Sequence, residues 1–160
     1  MNKKNLVILN NEKIYDNAQN FFCDNLDLKV VPEGLDNFFN VKFIARKSKK
    51  KGNQKIRLDN IDIASNIFSF IFFILRSFKD NSKYLIISIT PYTFVASLLL
   101  LIFRKKVYLY LWSDGYEEWK HLLGKWSVWI YHVMYTVCTF KSEIIVCNKR
   151  LTKKKSHLIS

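Results

Sequence analysis

The stretch of residues 84–148 most constrains the fold, because apolar runs of two different periodicities alternate along it. Three runs rich in β-branched and aromatic residues are predicted strands: 84–89, 107–112 and 143–147. Two helical patterns separate them: 92–103 and 117–140. Strands that alternate with helices form parallel sheets with right-handed crossovers. We therefore expect an α/β fold, a Rossmann-like parallel sheet with helices on both faces.

The first half of the chain has a weaker pattern of the same kind. Short apolar runs at residues 5–9 and 41–45 predict two more strands, and Asn10-Asn11 is expected to end the first of them. Pro32-Glu33-Gly34-Leu35 indicates the start of a helix. Since the sequence contains no repeat and no low-complexity linker, residues 1–160 are expected to form a single domain.

A further helix is predicted over residues 61–78, with Asp59 or Asn60 as its cap. Its centre, residues 67–75, is apolar nearly all round. Such a helix should be well buried or lie on a bilayer.

Ligands bind parallel α/β sheets outside the carboxyl ends of the strands. The residues that follow the predicted strands are therefore candidate ligand contacts: Thr90, Tyr92, Ser113, Asp114, Gly115 and Asn148, joined by Asn10-Asn11 from the first strand. A carboxylate at the mouth of a central strand, such as Asp114, can bind a hydroxyl or act as a general base. The same turn also has a structural explanation. Ser113 or Asp114 would cap the next helix, and Gly115 would permit an unusual backbone angle.

The predicted helix over residues 117–140 carries polar side chains in one sector: His121, Lys125, His132, Thr136 and Thr139. The rest of the helix is apolar: Trp126, Trp129, Ile130, Val133 and Val137. This pattern is typical of an amphipathic helix whose apolar side lies in the core. His121, expected in the first turn, is also a candidate partner for a phosphate or hydroxyl beside Asp114.

The chain is strongly basic, with 26 Lys and Arg against 13 Asp and Glu and a formal net charge of +13. Such a chain attracts nucleic acid, phosphorylated substrates or acidic membrane faces. The basic runs 46–51 and 149–155 contain no aromatic residue, which disfavours a nucleic-acid-binding function. Apolar segments with basic flanks, such as 61–79 and 94–106, suit the surface of an anionic bilayer.

Neither a metal nor a cofactor is expected from the sequence. His121 and His132 do not have HExxH spacing, no CxxC pair exists, and neither GxGxxG nor a P-loop signature is present. Three separated cysteines suit reduced thiols in a cytoplasmic protein. The first apolar run is too short for a signal peptide.

Residues 84–103 also allow a different interpretation, because they form a run of 20 residues without a charge. That length, followed by Arg104-Lys105-Lys106, could span a bilayer. Polar residues and Pro91 interrupt the run, and its first half is rich in β-formers. A buried strand followed by a buried helix explains it better.

Four stretches form an ordered set: Cys23-Asp24-Asn25 leading to Pro32-Glu33-Gly34-Leu35, then Phe43-Ile44-Ala45-Arg46-Lys47, then Trp112-Ser113-Asp114-Gly115-Tyr116-Glu117-Glu118, and finally Ile144-Ile145-Val146-Cys147-Asn148. They span nearly the whole chain. In this order they resemble the N-terminal half of bacterial glycosyltransferases of the GT-B fold, family-4-like.

The resemblance implies an acceptor-binding domain that faces a C-terminal nucleotide-sugar domain across a cleft. It implies retaining glycosyl transfer, without an essential metal, to a glycan or lipid-linked acceptor. The sequence contains no glutamate-rich donor motif, and Asn10-Asn11-Glu12-Lys13 replaces the glycine-rich loop that many relatives carry after the first strand. We therefore expect an acceptor-side half, truncated or split from its donor half and inactive alone.

In this interpretation Asp114 is the candidate catalytic residue. The candidate acceptor contacts are Thr90, Tyr92, Ser113, Gly115, His121 and Asn148. A cytoplasmic enzyme of surface polysaccharide synthesis, peripheral on the inner face of the membrane, fits the basic charge. The alternative is a non-catalytic, membrane-associated accessory subunit with a basic surface.

Overall fold

The computed structural model describes residues 3–17, 20–80, 82–152 and 156–158. The chain divides into two compact units, Met1–Lys83 and Tyr84–Ser160. Strands flanked by helices build both units, and most strand pairings in the chain are parallel, which confirms the predicted α/β, Rossmann-like fold class. The expectation of one domain over residues 1–160 stays a prediction.

The first unit contains five strands: β1 (Lys4–Asp16), β2 (Phe21–Cys23), β3 (Phe39–Lys47), β4 (Gln54–Ile56) and β5 (Ile61–Ala64). Their order is β5-β3-β1-β2-β4, with β5, β3 and β1 parallel and the other pairings antiparallel. Two helices pack against them: α1 (Leu26–Asp36) and α2 (Ile67–Arg76), the latter followed by a 3-10 turn, Ser77–Asp80. Apolar side chains of the parallel strands, such as Ile8 and Phe43, are completely buried and form the core of this unit.

The prediction that Asn10-Asn11 ends the first strand is wrong, because β1 continues to Asp16. The pairing of β1 with β3 shifts between Leu9 and Lys13, so the asparagines lie in a bulge. Side chains stabilise this bulge: Asn10 Oδ1 accepts from Glu12 N at 3.1 Å, and Arg46 Nη1 donates to Asn11 Oδ1 at 3.1 Å.

Both helix starts predicted for this unit are misplaced. Asn25, whose Oδ1 accepts from Asp27 N at 2.9 Å, caps α1, so Pro32 lies inside the helix rather than at its start. Residues 61–64 form β5 instead of a helix, because they pair in parallel with β3. Asn66 then starts α2 through a capping box with Ser69.

The second unit is built on four parallel strands: β6 (Lys83–Ile87), β7 (Val107–Leu111), β8 (Glu143–Val146) and β9 (Ser156–Leu158). They lie in chain order, each paired with the next. The helices are α3 (Pro91–Ile102), α4 (Gly115–Leu123) and α5 (Ser127–Thr139). The three strands and the first helix predicted here are confirmed, and after the last of these strands Asn148 caps a 3-10 turn, Lys149–Leu151.

The predicted helix over residues 117–140 is two helices. Gly124, whose φ is +91°, ends α4, and its N–H donates to Lys120 O at 3.0 Å. Ser127 begins α5 and fixes the turn, because its Oγ donates to Trp119 O and Gly124 O at 2.8 and 2.7 Å. The continuous polar stripe expected along one helix therefore does not exist, and Thr139, one of its members, is buried.

The uncharged run of residues 84–103 forms most of β6 and α3, as the strand-and-helix interpretation predicts. Among the described residues, no helix has both the length and the apolar character needed to cross a bilayer.

Candidate functional site

Hydrogen bonds between the residues that follow β6, β7 and β8 join the carboxyl ends of these three strands. Ser88 N donates to Tyr110 O at 3.0 Å, and the Trp112 indole N–H donates to Ser88 Oγ. Cys147 Sγ donates to the main-chain oxygen of Trp112 at 3.1 Å. The chain segments after three neighbouring strands therefore meet at one edge of the sheet, where parallel α/β sheets bind ligands.

A capping side chain follows each of these strands. Thr90 caps α3 in a capping box, in which Thr90 N donates to Thr93 Oγ1 at 2.8 Å and Thr93 N to Thr90 Oγ1 at 3.3 Å. Asp114 caps α4, and Asn148 caps the 3-10 turn by accepting from Arg150 N at 3.0 Å. The structure thus brings Thr90, Asp114 and Asn148 to the edge at which the sequence placed them.

The Asp114 carboxylate is exposed and only partly used by the fold. Its Oδ1 accepts from Tyr116 N at 3.0 Å and from Glu117 N at 3.4 Å. Among the described residues, Oδ2 has no hydrogen-bond partner. The cap therefore orients the carboxylate at the edge while one oxygen stays available to a hydroxyl group.

Gly115 is required for a different reason from the one expected. It is the first residue of α4, and it does not have the positive φ predicted for a tight turn. A Cβ on Gly115 would lie 2.1 Å from Tyr131 Oη and 2.3 Å from Tyr131 Cζ. Gly115 thus lets the start of α4 approach the ring of Tyr131 on α5.

Of the remaining predicted contacts, two lie at the edge and one lies away from it. Tyr92, in the first turn of α3, and Ser113, just before the Asp114 cap, are half-buried at the edge. The expectation that His121 lies in the first turn beside Asp114 is wrong, because α4 begins at Gly115 and His121 lies in its last turn. His121 is about 9 Å further along the helix axis than Gly115. It is exposed, with Nε2 3.8 Å from Glu117 Oε2.

Sequence reasoning missed an aromatic cluster behind Asp114. The Tyr116 ring lies 4.7 Å from that of Tyr131 and 5.6 Å from that of Tyr135, and Tyr116 Oη lies 2.9 Å from His132 Nδ1. Burial raises the pKa of Tyr116 and of Tyr131, and the negative charge of Asp114 adds a smaller contribution. Both phenols are therefore neutral at physiological pH. No sequence signal marks this cluster, because it depends on the contact between α4 and α5.

Ser88 is a second residue that sequence reasoning missed. Its φ of +64° lies in the left-handed region, which a serine adopts rarely. The surrounding bonds hold it there, since its carbonyl accepts from Thr93 Oγ1 at 2.9 Å and its hydroxyl accepts from Trp112. Backbone strain of this kind is concentrated at binding and active sites. No sequence signal marks this conformation in a residue other than Gly, Asn or Asp.

The three cysteines differ in exposure, which gives a prediction about their reactivity. Burial raises the pKa of the Cys23 and Cys138 thiols to about 11, while Cys147, at the sheet edge, is exposed. Iodoacetamide near neutral pH should therefore modify Cys147 in the folded protein and spare the other two, as peptide mass spectrometry would show. In urea all three should react. Fast labelling of Cys23 or Cys138 without denaturant would contradict their burial.

In the part of the chain that the structure describes, no three His, Cys, Asp or Glu side chains are grouped so that they could hold a metal ion. The edge instead offers a carboxylate, hydroxyl and amide groups, and the amino ends of α3 and α4. Such groups can bind a polyhydroxylated or anionic ligand.

Comparisons with known proteins do not assign a function to this site. No family model, no curated protein and no solved structure matches the chain.

Proposed function

We propose that this chain is the acceptor-binding domain of a glycosyltransferase that acts in surface polysaccharide or glycolipid synthesis. The observation that carries the proposal is the exposed carboxylate of Asp114, held by a helix cap at the edge where three parallel strands end. The ordered stretches that resemble the N-terminal half of GT-B enzymes give the same assignment. A donor half would supply the nucleotide-sugar.

A sugar hydroxyl is the group that this arrangement would hold best. Asp114 Oδ2 would accept the hydroxyl hydrogen, and a carboxylate that accepts from an attacking hydroxyl can serve as the general base of the transfer. The hydroxyl of Ser113 and the amide of Asn148 offer further bonds to a polyol. For a lipid-linked acceptor, the amino end of α3, which has no acidic residue in its first turn, would favour its phosphate.

A second candidate function is a non-catalytic accessory subunit at a membrane. The capping role of Asp114 is a sufficient reason for an aspartate at this position, even if this residue has no catalytic role. Exposed apolar side chains on α5, described below, would supply the docking surface. The two candidates differ in one property, because only the first binds a saccharide at the sheet edge.

The substitution Asp114→Asn tests the acceptor contact of this residue without removing its helix cap. Asparagine is as good an N-cap as aspartate, so α4 should be retained, but the charge that binds the hydroxyl is lost. Binding of bacterial surface oligosaccharides and polyprenyl-linked saccharides would be screened on a glycan array and measured by calorimetry. We expect wild-type binding to at least one of them and about tenfold weaker binding by Asp114→Asn.

Asp24→Asn is the matched control. Asp24 is also an exposed aspartate whose Oδ1 accepts from a main-chain N–H, that of Asn53 at 3.2 Å. This variant should bind saccharide like the wild type. Equal affinity of Asp114→Asn and wild type, or no binding of any saccharide, would overturn the acceptor-domain proposal and leave the accessory subunit.

A further inference from the structure

An apolar stripe lies on the outer face of α5. Trp126, Trp129, Ile130 and Val133 are spaced i, i+3, i+4 and i+7, so they lie on one side of the helix. All four are exposed, Trp126 by 64% and Trp129 by 72% of the side chain's reference surface. These residues were expected in the core. The structure buries the opposite side instead.

The buried side of α5 shows that this exposure is a property of the fold. Tyr131, Met134 and Cys138 are buried, and α5 packs against α3 and α4. Ser127, also buried, anchors the start of the helix to α4 through two hydrogen bonds. Turning the stripe inward would therefore remove the packing that holds α5 on the unit.

Further exposed apolar side chains lie at the ends of the helices of this unit. Leu122 and Leu123, which end α4, and Phe140, which follows α5, are all exposed. Ile102 and Phe103 at the end of α3 are exposed as well. We call the stripe with these neighbouring side chains the α5 face. Exposed apolar side chains in this number mark an interaction site.

Basic residues flank the α5 face. Lys125 is exposed beside Trp126 at the start of the helix. At the other end, Lys105 and Lys141 line one cavity with Phe140, and Lys141 Nζ lies 5.5 Å from the Phe140 ring. The second unit contains 11 basic and 4 acidic residues. Of the acidic ones, Glu117 pairs with Lys120 at 3.2 Å and Glu143 with Lys106 at 2.7 Å.

We propose that the α5 face docks on an anionic lipid bilayer, with α5 lying in the plane of the headgroups. Tryptophan and lysine together favour this partner, because both are enriched where a protein meets a membrane surface. The cores of protein–protein interfaces, by contrast, are depleted in lysine. The apolar stripe would enter the boundary of the acyl chains, while the flanking lysines would contact acidic headgroups. This proposal does not depend on saccharide binding at the sheet edge.

Vesicle co-sedimentation of the full chain tests the proposal. We expect binding to phosphatidylcholine vesicles that contain about one-third phosphatidylglycerol, weaker binding to phosphatidylcholine alone, and weaker binding as salt is raised. The variant Trp126→Ser/Trp129→Ser should lose on the order of tenfold in partition coefficient for each tryptophan. In the wild type, tryptophan emission should shift to the blue on addition of the anionic vesicles.

The matched control is Phe68→Ser/Phe72→Ser, which removes two equally exposed aromatic side chains from α2 in the other unit. It should bind vesicles like the wild type, because the proposal places α5 on the bilayer and not α2, the segment that the sequence also indicates. A second variant, Lys105→Glu/Lys141→Glu, keeps the stripe and should lose most of the salt-sensitive part of binding. Circular dichroism would establish that each variant is folded.

Three results would overturn the proposal. One is that the tryptophan variant binds vesicles as well as the wild type. Another is equal loss of binding in the α2 control, since the effect would then not be specific to the α5 face. The third is a wild-type dimer that becomes monomeric in the tryptophan variant without any vesicle binding, because the face would then join two copies of this chain. Each of these readouts is separate from the saccharide-binding assay.

Discussion

Replacing Gly115 with Ala should lower the free energy of unfolding by about 3 kcal/mol, the upper part of the range for added atoms in a packed site. The added Cβ would overlap the ring of Tyr131, with its nearest atom at 2.1 Å. Tyr131 is buried and contacts the rings of Tyr116 and Trp119, so it has little space into which to move. Urea unfolding monitored by circular dichroism would measure the loss. The start of α4, and with it the Asp114 cap, should shift.

Gly34→Ala is the matched control for that substitution. Gly34 lies inside α1, and no heavy atom lies within 4 Å of the position that a Cβ would take. Because alanine is more favourable than glycine in the interior of a helix, the free energy of unfolding of this variant should rise by about 0.5–1 kcal/mol. If Gly115→Ala were as stable as Gly34→Ala, the close contact between α4 and Tyr131 would be wrong.

Replacing Phe70 with Ala should lower the free energy of unfolding by about 3–5 kcal/mol, the range observed when a fully buried aromatic side chain is truncated. Phe70 lies on the inner side of α2, where only it and Ile74 are buried. The substitution removes apolar contacts and leaves a cavity that the helix and strands around it can fill only in part. The unfolding midpoint in urea would fall accordingly, with little change in the slope.

Phe68→Ala gives the comparison within the same helix. Phe68 is 78% exposed, so its truncation should change stability by no more than about 0.5 kcal/mol. The two substitutions have identical chemistry and lie two residues apart. Equal losses would mean that the helix is turned differently from the structure described here. They would also support burial of the whole helix, which is one of the two alternatives that its sequence indicates.

The first part of the second unit could be predicted well because its apolar runs have clear strand and helix periodicities. Residues 84–111 form the strand, helix and strand that the alternation of apolar runs indicates. Three-residue strands such as β2, β4 and β9 could not be predicted, because so short a segment has no periodicity. β5 was mistaken for the start of a helix because only Ser65 and Asn66 separate its four residues from the apolar run of α2.

The α5 face shows where amphipathicity fails as a guide. The pattern correctly indicates two sides, but it does not say which of them the protein buries. Here the buried side combines Tyr131, Met134 and Cys138 with two hydroxyl residues, Ser127 and Thr139. The hydroxyls become compatible with the interior because each donates to a main-chain carbonyl, Ser127 to Trp119 O and Thr139 to Tyr135 O.

The part of the candidate site that lies directly after the strands could be predicted from the sequence. Thr90, Asp114 and Asn148 come directly from the rule that chain segments leave parallel strands at one edge. Ser88 and the Tyr116–Tyr131 pair could not be found in this way. Their roles depend on a backbone angle and on the contact between α4 and α5, and tertiary structure alone determines both.

The chain-order arrangement of β6, β7, β8 and β9 has a consequence for synthesis on the ribosome. From β7 onward, each strand of this unit pairs with the strand made immediately before it, so its partner has already emerged when it appears. The sheet can therefore grow in one direction while translation continues, and each step closes a loop no longer than one crossover. Nascent chains of increasing length should gain protease resistance in steps, one for each helix and strand added.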